Sequence, residues 1–157
     1  MKFNPFEYFE IRNDKSFINQ IESEFVIELP PMFKLFNETF ILKSFKNPSG
    51  FFLGHPDEEI GFDTFNLSID FLMKSYNENY KHLEIQKDIF PIASSGIHQF
   101  GICVGLTDNL KDKICVSEEI NDWKLRIIGD NIFDFIKDFQ LFDHQKNKTY
   151  ANTVYKK

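Results

Sequence analysis

Residues 89–142 constrain this chain more than any other stretch. Three short apolar runs come first: Ile-Phe-Pro-Ile-Ala, then Gln-Phe-Gly-Ile-Cys-Val-Gly-Leu, then Lys-Ile-Cys-Val-Ser. Gly-Asp-Asn-Ile-Phe-Asp-Phe-Ile-Lys-Asp-Phe follows. The runs have the length and side-chain content of strands, and the last segment repeats apolar residues at helical spacing. Strands and a helix in this order point to an α+β domain. The stretch also contains no residue set that could run a reaction.

Asn109 lies midway between the second and third runs. A hairpin symmetric about it pairs Val104 with Ile114 and Ile102 with Val116. Phe100, Ile102, Val104 and Leu106 then share a face with Ile114 and Val116, while Gly101, Cys103, Gly105 and Cys115 share the other. Small residues on a strand face let something approach the sheet closely, either a packed helix or a partner loop. Cys103 and Cys115 oppose each other in this register. A cross-strand disulfide is open to them, and a reduced pair of small core residues is the cytosolic alternative.

Upstream, a first helix is expected from Asp14 or Ser16, either of which can cap it, to Phe25. Phe17, Ile18, Ile21 and Phe25 fall on one side. Ile27-Glu28-Leu29 leads into Pro30-Pro31, where Pro30 biases Leu29 towards extended geometry. Pro31 suits the first turn of a second helix, running to about Phe40, with Met32 or Phe33, Phe36 and Phe40 inward. Residues 41–45 and 51–53 read as strands around a turn at Asn47-Pro48-Ser49-Gly50, and Ile60-Gly-Phe-Asp-Thr-Phe alternates with period two. A third helix starts at Asn66 or Ser68 and carries Ile69, Leu72, Met73, Tyr76 and Tyr80 inward. A last helix starts at Gly129-Asp130, with Ile132, Phe135, Ile136, Phe139 and Phe142 as its buried stripe. The tail from Asp143 is polar.

At 157 residues the chain is expected to be one domain, with its core over about 14–142 and a tail over 143–157. Twenty Phe supply much of that core. The net charge of −6 argues against direct binding to nucleic-acid phosphates. It suits a basic protein partner or simple solubility. The first ten residues lack the apolar core of a secretory signal, and no apolar run reaches the roughly 18 residues of a membrane span. Two cysteines make no disulfide framework. A cytoplasmic chain without membrane attachment is expected.

Chemical motifs are missing from the sequence. His55, His82, His98 and His144 stand in no metal spacing, the cysteines form no C-x-x-C, and neither a phosphate loop nor a G-x-S-x-G elbow occurs. Ser94-Ser95-Gly96 before His98 reads as a turn between strands rather than a nucleophile with its base. No cofactor, no metal and no catalysis are expected.

The sharpest charge feature is the absence of Lys and Arg between Lys46 and Lys74. This window holds Asp57, Glu58, Glu59, Asp63 and Asp70 together with Phe51, Phe52, Phe62 and Phe65. Carboxylates beside aromatics suit a protein interface, where aromatics anchor and charges steer. A solvated acidic loop would carry the same composition. The candidate partner-binding residues are Phe51, Phe52, Asp57, Glu58, Glu59 and Asp63. A second set is Glu118, Glu119, Asp122 and Trp123, where the only Trp follows an acidic edge.

Two patterns together resemble a known family. One is Phe17-Ile18-x-x-Ile21-Glu22-x-x-Phe25, the Leu29-Pro30 step and the aromatic helix over 32–40. The other is Phe90-Pro91-Ile92-Ala93, the strands over 100–106 and 114–117, and the helix over 132–139. Their order is similar to that of the SUKH superfamily, which includes fungal cell-wall-assembly regulators and many bacterial immunity proteins. The resemblance implies an α+β fold with a single mixed, mostly antiparallel sheet flanked by about four helices. It also implies an immunity protein, or antitoxin, that binds and occludes a cognate toxin, a basic nuclease being one candidate. The family supplies no catalytic residue. The alternatives are a regulatory scaffold bound to a resident cellular protein, and a small ligand-binding domain or hydrolase.

Overall fold

Local sequence explains most of the helix boundaries. Pro31 opens a helix at Pro31–Thr39 because its fixed φ and missing N–H suit a first turn. The preceding helix, Ser16–Phe25, buries Ile18 and Ile21 and leans Phe17 and Phe25 on the core. In this computed structural model residues 3–11, 15–42, 51–55, 60–61, 87–95, 101–117 and 124–143 are described. The helices are α1 (Ser16–Phe25), α2 (Pro31–Thr39) and α3 (Ile132–Lys137). The strands are β1 (Phe9–Ile11), β2 (Phe40–Leu42), β3 (Phe51–Gly54), β4 (Ile60–Gly61), β5 (Ile89–Ser95), β6 (Ile102–Gly105), β7 (Ile114–Ser117), β8 (Leu125–Gly129) and β9 (Gln140–Asp143). The fold is α+β, with every described strand pair antiparallel.

The β6–β7 hairpin takes the register expected from its symmetry. Ile102 faces Val116, Cys103 faces Cys115 and Val104 faces Ile114. Ile102, Val104, Leu106, Ile114 and Val116 enter the core with Phe90 and Ile92. Cys103 and Cys115 lie on the other face and are also fully buried. The chain itself therefore covers the small-residue face, leaving no room there for a partner loop. Pro91 sits inside β5 opposite Cys103, and among the described residues β4 pairs with β5 at Ser94 and Ser95. A bulge at Pro91/Ala93 lets Ile92 and Ala93 both turn inward.

Several expectations are corrected. The described strands form not one sheet but a five-stranded sheet, β4-β5-β6-β7-β8, and two separate two-stranded sheets, β1-β2 and β3-β9. Three α-helices are described, and the helix expected from Asn66 or Ser68 lies outside the described residues. Among the described residues β2 and β3 are not paired with each other, and the expected turn between them lies outside the described residues. β2 pairs with β1, and β3 pairs with β9, which turns a local contact into two long-range ones. Ser16 is already helical, and Lys15 precedes it with no side-chain cap. Ser94 and Ser95 continue β5 instead of forming a turn.

The last helix starts later and stops earlier than its apolar spacing suggests. Gly129 ends β8, a strand the periodicity did not reveal, and Asn131 is the cap, its side chain accepting from Asp134 N–H at 3.0 Å. Phe139 N–H bonds to the Ile136 carbonyl at 2.9 Å, closing the last turn, and Gln140 begins β9. Ile132, Phe135, Ile136 and Phe139 are buried as expected. Phe142 belongs to the strand, because pairing Leu53 with Leu141 and Phe52 with Phe142 satisfies backbone that a longer helix would have used.

One hydrophobic cluster joins these elements, drawing on Phe9, Ile21, Phe33, Leu53, Val104 and Phe135. Its helical side is aromatic. Phe36 meets Phe133 edge-on at 5.5 Å and Phe9 edge-on at 5.4 Å, while Phe25 meets Phe90 at 5.1 Å.

Candidate partner-binding site

Phe51 and Phe52 stand in β3, opposite Asp143 and Phe142. Asp57, Glu58, Glu59 and Asp63 lie outside the described residues, as do Glu118, Glu119, Asp122 and Trp123. The near end of the acidic window is firmly held. Leu53 is buried, and the buried His55 ring stacks on Phe135 at 5.0 Å and meets Phe139 edge-on. This histidine is therefore part of the core packing around α3.

Cys115 holds no reactive thiolate. Burial pushes the Cys115 thiol from 9.0 up to about 11, with Lys113 pulling the other way. Cys103 and Cys115 remain separate thiols although they face each other. Among the described residues no group of three or more His, Cys, Asp or Glu could hold a metal ion, and no helix is long and apolar enough to cross a membrane.

The described surface carries a cleft of about 460 Å³ that sequence reading did not single out. One wall is the α1–α2 connection, with Val26, Ile27, Glu28, Leu29 and Pro31. The other is Lys87 with the β6–β7 turn, through Leu106, Thr107, Asp108 and Lys111. Hydrogen bonds fix both walls. The Glu22 carboxylate accepts from Leu29 N–H at 2.9 Å and from Lys34 Nζ at 3.1 Å. The Asp88 carbonyl accepts from Leu106 N–H at 2.8 Å, and the Asp88 carboxylate accepts from the Thr107 hydroxyl at 2.9 Å. Asp112 ties the two walls together by accepting from the N–H groups of Met32 and Phe33 at the start of α2.

Backbone geometry sets this region apart. Val26, Asp108 and Asp112, the non-glycine residues of positive φ among those described, all lie in the cleft walls or in this tie. Aspartate tolerates that conformation; a β-branched valine does not. The sequence did hold a signal for this: α1 ends without the Gly or Asn that usually takes the left-handed position. The cleft combines apolar side chains with exposed charges of both signs, a composition suited to gripping a polypeptide segment. No family model, curated protein or solved structure matches the chain.

Proposed function

We propose that this protein is a SUKH-type immunity protein: a cytoplasmic, non-enzymatic binder that blocks a cognate toxin by occlusion. The observation that carries this is the helix, Leu29-Pro30 step and helix unit seated on an antiparallel sheet. Within the pattern that resembles the family, Glu22 has a concrete role, holding the Leu29 amide and the Lys34 ammonium. The other segments that carry the resemblance form β5, β6, β7 and α3.

Charge supports the choice of partner. A net charge of −6 and a window without Lys or Arg favour encounter with a basic toxin such as a nuclease. Acidic residues steer, and Phe51 and Phe52 lie at the start of that window.

The test is co-expression with the protein encoded beside it, followed by affinity measurement. Rescue from toxicity and a stable complex are expected. Asp57→Lys, Glu58→Lys and Asp63→Lys combined should slow association and weaken binding, by about 2–5 kcal/mol for each desolvated pair lost. Unchanged affinity would remove the window from the interface. Absence of rescue and of a complex would overturn the immunity function.

A further inference from the structure

Val26 departs from what folding alone requires of its position. It ends α1 in the left-handed conformation, with φ 54° and ψ 49°. That strains a β-branched side chain, whereas Gly or Asn serves there easily. Packing gives Val26 nothing in return, since 88 % of it is exposed. The side chain stands at the cleft between the α1–α2 connection and the β6–β7 turn. The opposite wall presents the exposed Lys87 and Lys111. Among the described residues neither is in an ion pair, unlike Lys34, Lys113 and Lys137. Strain at a rigid, accessible cleft edge belongs to function more than to stability.

Resting on the immunity-protein reading, we propose that this cleft is the anchoring part of the toxin interface. It receives a toxin loop that presents an apolar side chain to Val26 and Ile27 and a carboxylate to Lys87 and Lys111. Glu28 and Asp108 also line the cleft, so a strongly acidic segment is rejected while one carboxylate beside an apolar residue is accepted. The volume of about 460 Å³ holds a few side chains and not a whole element. The walls are already fixed by Glu22, Asp88 and Asp112, so little ordering is needed on binding. The acidic window steers, and the cleft grips.

Two measurements separate this inference from the function it rests on. In the first, the protein encoded beside this one is titrated with wild type, Val26→Gly, Val26→Asn and the double variant Lys87→Glu, Lys111→Glu. Both Val26 variants should fold with unchanged or raised melting temperature and bind about tenfold more weakly; the double variant should lose about a hundredfold. In the second, a displayed library of random short peptides is selected on wild type and on the double variant. Wild type should enrich an apolar residue beside Asp or Glu, and the double variant should not. Tight toxin binding unaffected by all these variants would overturn the cleft and leave the immunity function standing. Enrichment without toxin binding would overturn the immunity function and with it the cleft's toxin partner, leaving only its preference for an apolar residue beside a carboxylate, and failure of both arms would overturn both.

Discussion

The carboxylate of Asp112 caps the first turn of a distant helix, accepting from Phe33 N–H at 3.0 Å and from the N–H of Met32, 80 positions earlier in the chain, at 3.1 Å. The residue before α2 is Pro30, whose side chain has no acceptor, so no local residue does this. The β6–β7 turn supplies the missing acceptor and sets a negative charge at the positive end of the helix. The same turn forms one wall of the cleft, so cap and cleft share one support.

Replacing Asp112 with Ala should therefore cost about 1–2 kcal/mol in urea unfolding. Asp112→Asn should cost less, because Asn keeps an acceptor and tolerates the φ of 65° found there. Asp112→Gly suits the backbone but removes the cap. A loss for Gly equal to that for Ala would assign the cost to the hydrogen bonds.

Glu22 offers a second separable effect. Its carboxylate serves both a part-buried backbone N–H, that of Leu29, and the ammonium of Lys34, whose side chain is 29 % exposed. Glu22→Ala strands the amide and should cost about 1–2 kcal/mol. Lys34→Ala removes a partly exposed ion pair while the carboxylate keeps the Leu29 amide, and should cost about 1 kcal/mol or less. Thermal unfolding of both variants would show whether the amide dominates.

Gly105 meets the hairpin turn at close range. A Cβ there would lie 1.9 Å from the Leu110 carbonyl oxygen and 2.5 Å from its carbon. Those atoms belong to a turn held by Gly105 N–H to the Lys113 carbonyl at 2.8 Å and Asp112 N–H to the Gly105 carbonyl at 3.1 Å. Gly105→Ala should destabilise the protein by about 2–3 kcal/mol or more, since backbone must move. Measured stability within error of wild type would contradict the close approach.

Cys115 makes stability depend on alkaline pH. Its folded thiol titrates near 11 rather than 9.0 because burial disfavours the thiolate. Below 9.0 both folded and unfolded thiols are protonated, so the contribution is intact. Between 9.0 and 11 the unfolded state loses its proton first, and stability falls as pH rises. The total loss from this group is about 2–3 kcal/mol. Chemical unfolding of wild type and Cys115→Ala across that range should show a flatter profile in the variant. Native Cys115 should also alkylate far more slowly than the unfolded thiol.

Features set by neighbouring residues were legible in the sequence. Period-two runs around Asn109 determined the register that pairs Ile102 with Val116 and Val104 with Ile114. Pro31 determined where α2 begins. The stripe Ile132, Phe135, Ile136 and Phe139 determined which face of α3 is buried. Each follows from the geometry of a few adjacent side chains. Tertiary structure alone decided that β2 joins β1, that β3 joins β9, and that the chain leaves α3 at Phe139 to become a strand. Apolar periodicity says which side of an element turns inward, but not which distant backbone completes its hydrogen bonds. The cleft was hidden for the same reason. Val26, Lys87 and Lys111 are far apart in sequence, and only closure of the β6–β7 turn onto α2 through Asp112 brings them to one site.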